Sequence, residues 1–160
     1  MILCAIEELP KNKITEFFKL HWGSPEMVIS SGVYDCSELD GFAVLNDEGE
    51  ITGLITYIMK DSECEIISLD SVEEGKGIGT SLVQAAEKLA VEKNCERLRL
   101  ITTNDNLPAL KFYQKRGFIL SRIINNAVEK ARKIKPEIPL IGNDGIPIRD
   151  EIELIKAIHE

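Results

Sequence analysis

The sequence has 160 residues, 44% of them hydrophobic and 29% charged, with a formal charge of −8. That is enough chain for one domain with a sizeable core, and the negative balance argues against a general nucleic-acid binder, which needs a basic face. No basic leader or long apolar run precedes Glu7 and Glu8, and the four scattered cysteines form no Cys-x-x-Cys pair. The expectation is therefore a cytoplasmic protein with free thiols, no signal peptide, no membrane span and no metal site.

Residues 3–9 read as a first strand closed by Pro10. Ile14, Phe17, Phe18 and Trp22 recur at helical spacing over 11–21, and Gly23-Ser24-Pro25 ends that helix. Residues 27–34 read as extended, and 41–45 with 51–59 as a hairpin around Asn46-Asp47-Glu48-Gly49. Residues 65–72 are the next strand, running into Glu74-Gly75-Lys76-Gly77-Ile78-Gly79-Thr80-Ser81. From Thr80 to about Lys93, Leu82, Val83, Ala86, Leu89 and Ala90 form one helical face. A strand over 97–102, a short helix over 106–116 and a strand over 118–124 follow. The rest is a basic helical piece from Val128, a proline-punctuated stretch over 136–147 and an expected last helix over 150–158, with Asp150 as its cap.

Alternating glycines between a strand and a helix start let the backbone approach an anion, and the first N–H groups of the helix point at it. A tight turn in which the glycines only permit packing is the alternative. The dinucleotide fingerprint is excluded because Thr80 stands where its third glycine belongs. The P-loop is excluded because Lys76 sits between two glycines.

Asn106-x-x-Ala109-x-x-Phe112-Tyr113-x-Lys115-x-Gly117-Phe118 resembles the second motif of the GNAT acetyltransferases, and Glu74-x-x-Gly77-x-Gly79 resembles their first. The resemblance covers roughly residues 41–124. It implies an α/β (α+β) fold with a mixed, strongly twisted central sheet of six to seven strands flanked by helices. It also implies acetyl-CoA as cosubstrate and acetyl transfer to the amine of a small molecule or protein. Residues 1–160 would be one N-acetyltransferase domain, with 125–160 an extension the motifs do not explain. A homodimer is left open.

Carried over by position, the resemblance assigns the pyrophosphate to backbone N–H groups of Gly75, Lys76, Gly77, Ile78, Gly79 and Thr80. Leu69 would face the thioester carbonyl with its N–H, helped by a bulge near Asp70 and Ser71, which would pair with the pantetheine arm. Asn106 would contact the cofactor, and Tyr113 would be the general acid near the sulfur. Glu74 departs from the family's Gln or Arg, so the resemblance assigns its side chain no role, while the backbone cradle is untouched. Glu65, four residues before Leu69 and so expected on the same side of the strand, is the candidate base, with Asp70 and His21 as further candidates. Arg149, Asp150 or Glu151 could reach the acceptor. The competing class is a CoA-binding regulatory or interaction module with weak turnover.

Overall fold

Ile14, Phe17 and Phe18 fall on one side of a helical turn pattern, and burying all three makes residues 11–22 helical. Gly23, at φ 84°, stops that helix in the left-handed conformation glycine adopts most easily. The same logic runs along the rest of the chain, whose structure, a computed structural model, describes residues 1–73 and 75–158. The elements are β1 (Ile2–Ala5), α1 (Lys11–Trp22), β2 (Glu26–Ile29), β3 (Gly32–Asp35), β4 (Asp40–Leu45), β5 (Ile51–Lys60) and β6 (Glu63–Ser71). They continue as α2 (Ile78–Glu92), β7 (Arg97–Thr103), α3 (Leu107–Lys115), β8 (Ile119–Ile124), α4 (Ala127–Ile134) and β9 (Glu151–Ala157). The fold is mixed α/β: seven strands, mostly antiparallel, make the main sheet, and β2 and β3 form a separate ribbon. No helix among the described residues is long and apolar enough to cross a membrane.

The chain forms two compact units. The first comprises Met1–Glu26, Asp35–Leu98 and the chain from Ala157 onward. Here β1, β4, β5 and β6 pair antiparallel in that order, and α2 packs on β4, β5 and β6. Its core includes Phe18, Leu54, Ile55, Leu82 and Leu98, all fully buried. Gly53 allows the close approach of α2, because a Cβ there would stand 2.3 Å from the Ile78 side chain and 3.0 Å from that of Leu82.

One surplus residue disturbs the β5–β6 pairing. Thr56 opposes Ser68 and Tyr57 opposes Ile66, so Ile67 is bulged out of register. The bulge was expected near Asp70 and Ser71, yet there the pairing is regular, with Leu54 opposite Asp70 and Gly53 opposite Ser71. Because Ile67 resets the alternation, Glu65 shares a face with Ser68 and Asp70, not with Leu69 as simple counting by two requires.

The second unit comprises Met27–Tyr34 and Arg99–Lys156, with β7, β9 and β8 neighbouring in that order. The expected last helix over 150–158 is instead the strand β9. Ile152, Leu154, Ile155 and Ile158 fit either period, and two acids decide the matter. Glu151 and Glu153 are both buried, which a carboxylate tolerates only with partners. As a strand, β9 gives Glu153 the Arg99 guanidinium, 2.6 Å away, and lets Glu151 accept from the Ser30 N–H at 3.1 Å. Burial, the largest influence, raises the Glu153 carboxyl, but Arg99, Ser121 and Arg122 together hold it below the ordinary carboxylate range. Asp150 caps no helix. It accepts from the Asn126 N–H and pairs with Arg149.

Replacing Gly53 with Val should push α2 off the sheet and lower the unfolding free energy by about 1–3 kcal/mol, the usual cost of overpacking. Urea denaturation reads this directly. An unchanged midpoint would show that α2 does not depend on the missing side chain.

Candidate active site

In the first unit the interesting residues follow one another along the end of β6, a loop and the start of α2. The Val72 N–H donates to the Thr52 carbonyl at 2.8 Å, which fixes the phase of the β5–β6 ladder. Asp70 is then a hydrogen-bonded partner of Leu54, whereas the N–H groups of Leu69 and Ser71 are directed away from β5. Asp70 therefore spends its backbone on β5, and Leu69 and Ser71 turn theirs to the other edge of β6.

Gly75 and Gly77 have φ of 75° and 74°, and among the described residues nothing lies within 4 Å of where a Cβ would stand on either. Their glycine character serves the left-handed backbone and leaves it uncovered, not tight packing. Gly77 is the N-cap of α2, which starts at Ile78, two residues earlier than expected, with no acidic residue in its first turn. The helix's own carbonyls cannot reach the N–H groups of Ile78 and Gly79, so these point out of the positive end of the helix. Lys76 is exposed, its Nζ 4.0 Å from the Glu73 carboxylate. This donor set suits a multiply charged anion such as a pyrophosphate. Glu74, the family's unmatched position, lies outside the described residues.

The face of β6 that carries Ser68 and Asp70 is polar but half closed. The Thr56 and Ser68 hydroxyls are buried 2.5 Å apart. The Trp22 indole N–H donates to Asp70 Oδ1 at 2.9 Å, and Asp70 Oδ2 is buried without a hydrogen-bond partner among the described residues. Burial pushes the Asp70 carboxyl up, while the Trp22 N–H and the charge of His21 pull it back. His21 itself is exposed, with its ring against Phe17 at 4.4 Å. Glu65 is buried on the same face of β6. The sequence marks Trp22 by its helical spacing with Ile14, Phe17 and Phe18; nothing in it signals a bond to a residue 48 positions away.

All four cysteine thiols are raised, first by burial, Cys36 to about 11 and Cys64 to about 12. None is a thiolate nucleophile at neutral pH. Among the described residues no group of three His, Cys, Asp or Glu is arranged to hold a metal.

In the second unit, Asn106 is the N-cap of α3. Its Oδ1 accepts from the Ala109 N–H at 3.3 Å and its Nδ2 donates to the Thr102 hydroxyl at 3.1 Å. Tyr113 is buried on α3, its ring edge-on to Phe118 at 5.2 Å. The Arg149 guanidinium lies on Asp150, and Glu151 accepts from the Ser30 N–H of the β2–β3 ribbon.

The profile of the Acetyltransferase (GNAT) family matches residues 11–118. The uncharacterized protein YxbD of Bacillus subtilis (strain 168) is 59% identical over 151 residues, covering 94% of this chain and 95% of its own. The IAA acetyltransferase from Bacillus cereus ATCC 14579 superposes with a TM-score of 0.74 at 21% identity over 98% of both chains. A GNAT family acetyltransferase from Elizabethkingia anophelis, solved with acetyl-CoA bound, gives 0.65 at 24% identity over 76% of this chain and 77% of its own. These two structures share the fold.

Trp22→Phe removes the N–H from Asp70 and keeps an aromatic ring. Because the folded-state value of Asp70 is raised, its contribution to stability is present below the unfolded value and is lost as pH rises through the folded one. Losing a donor that favours the charged form enlarges that loss. The variant's deficit in urea denaturation should exceed its deficit at about pH 4 by about 1.5–3 kcal/mol at about pH 7. Equal deficits at both would show that Trp22 does not stabilise a carboxylate.

Proposed function

The chain belongs to the GNAT acetyltransferase family, and from that premise we propose that it transfers the acetyl group of acetyl-CoA directly to an amine nitrogen. The observation that carries this reading is the uncovered left-handed backbone of Gly75 and Gly77 leading into the N-terminus of α2. N–H groups from Gly75 to Thr80 would hold the pyrophosphate, and the outward backbone of Leu69 and Ser71 would hold the pantetheine arm. The acetyl-CoA found in the Elizabethkingia structure supports that choice of ligand. Bound acetyl-CoA supplies the activated thioester; everything else falls to this chain.

An amine acceptor arrives mostly as an ammonium ion and must lose a proton before it can attack. Asp70 is the better candidate to take that proton, since its Oδ2 is partnerless among the described residues and its carboxyl is raised toward neutrality. Glu65, buried on the same face as Asp70 but nearer the far end of β6 from the glycine loop, is the weaker one. The Leu69 N–H would donate to the carbonyl oxygen as negative charge develops there. Tyr113, by its place in the second motif, would give its phenolic proton to the departing sulfur. As the C–N bond forms the C–S bond breaks, CoA leaves as the thiol, and the proton the nitrogen sheds on becoming an amide restores the Tyr113 phenol by way of solvent. With every cysteine thiol held above its ordinary value, direct transfer is favoured over an acetyl-cysteine route.

Release of CoA thiol from acetyl-CoA in the presence of a panel of small amines and a lysine peptide tests the reading. Amine-dependent release supports it, and acetyl-CoA binding with no amine turned over would instead support a CoA-binding module. Tyr113→Phe should lower kcat by about 10²-fold while KM for acetyl-CoA stays within about twofold. Asp70→Asn keeps the acceptor for Trp22 but removes the charge, and should lower kcat/KM for the amine by about 10²-fold. A variant as active as the parent removes that residue from the mechanism.

A further inference from the structure

The stretch from Pro136 to Asp150 is absorbed by neither motif, yet it is pinned at many points to the corner that follows β7. Asn104, the first residue of that corner, commits both its side chain and its N–H to it. Its Oδ1 accepts from the N–H groups of Arg149 and Asp150, both at 3.0 Å, and its Nδ2 donates to the Pro147 carbonyl at 2.9 Å. Its own N–H donates to the Asp150 carbonyl at 3.0 Å.

Asp105, next in line, meets the loop differently. A Cβ on Gly142 would stand 2.1 Å from Asp105 Oδ2, 2.8 Å from its Cγ and 3.1 Å from its Cβ, so only glycine lets the loop lie against it. The loop is itself a closed turn: the Gly142 N–H donates to the Ile146 carbonyl at 2.9 Å, and the Ile148 N–H to the Leu140 carbonyl at 2.9 Å. From α4, the Arg132 guanidinium binds the carbonyls of Ile138, Pro139 and Ile148, and the Asp150 carboxylate takes the Asn126 N–H.

We infer that Asn104 is a positioning residue for acetyl-CoA binding, and that the loop around Gly142 is the brace it grips. The inference rests on the acetyltransferase reading above, together with the contact to the cofactor that the family resemblance assigns to Asn106. The corner is short and rigidly linked: Thr103 donates its hydroxyl to Asp105, the Asn106 N–H bonds the Thr103 carbonyl, and Asn106 caps α3. A displacement at Asn104 or Asp105 is therefore passed to Asn106 and to the start of α3. The corner also lies at the carboxyl end of β7, the end of a strand at which open α/β sheets bind ligands. Loops there are mobile by default, and a binding contact needs its support fixed to within about 0.5 Å. The tail supplies that fixation from outside the motif.

Two variants break the brace from opposite sides. Asn104→Ala removes the grip, and Gly142→Ala drives a Cβ into Asp105. Each, in the full chain, should raise the acetyl-CoA Kd measured by calorimetry, and KM for acetyl-CoA with it, by about 10-fold, with kcat at saturation within about twofold. Asn104→Asp, which keeps both accepted N–H bonds, should recover part of the affinity. A merely structural role would lower the folded fraction and kcat and leave KM alone, and that result overturns the inference. Unchanged Kd in both variants overturns it as well. If the parent protein binds no acetyl-CoA, the acetyltransferase reading falls and the brace falls with it; if the parent binds and the variants bind equally, the brace alone falls.

Discussion

The β5–β6 pairing holds ten- and nine-residue strands together, and the single extra residue in it, Ile67, governs what each side of β6 presents. Downstream of the bulge the ladder is regular, which turns the N–H groups of Leu69 and Ser71 outward and sends the Asp70 side chain to the face of Thr56 and Ser68. Without the bulge, that face and the other would be exchanged for every residue up to the glycine loop. The strand then delivers the chain at the right place for Gly75 and Gly77 to turn into α2, whose first turn rests on Gly53. The approach to the glycine turn, the direction of the Leu69 and Ser71 N–H groups and the placing of the Asp70 carboxylate are thus consequences of one register.

Asp70 is where that register leaves an imbalance. One carboxylate oxygen is bonded by the indole N–H of Trp22, and the other is buried with no partner among the described residues. A buried oxygen left unsatisfied costs about 1–3 kcal/mol, and proteins concentrate such costs where chemistry needs them. A carboxyl raised by burial is suited to receive a proton from an ammonium, which is the role proposed for it. The thiols, by contrast, are held in their neutral form, three of the four of them buried.

Much of this was legible in the residues. α1, α2 and α3 announce themselves by apolar spacing, by Gly23 and Gly117 at their ends and by Asn106 at a start. The hairpin around Asn46-Asp47-Glu48-Gly49 and the glycine loop announce themselves by their turn residues. The failures share one physical cause, which is pairing over long sequence separation. β9 reads as a helix until Arg99 and Ser30 are seen to satisfy Glu153 and Glu151. The bulge at Ile67 leaves no local mark, so Glu65 was set on the wrong side of the strand. The bond from Trp22 to Asp70 spans 48 positions, and the grip of Asn104 on the tail spans more than 40. Short-range pattern shows where backbone must turn, but not which distant partner a polar side chain finds.

The central claim is that the backbone from Gly75 to Thr80 seats the pyrophosphate of acetyl-CoA. Titrating the ¹⁵N-labelled protein with CoA and following its amide resonances tests this most directly. Glycine amides stand apart in such spectra, and those of Gly75, Gly77 and Gly79 should shift together with saturation, with Leu69 and Ser71 moving alongside. Saturable CoA binding that leaves all three glycines unmoved would contradict the account.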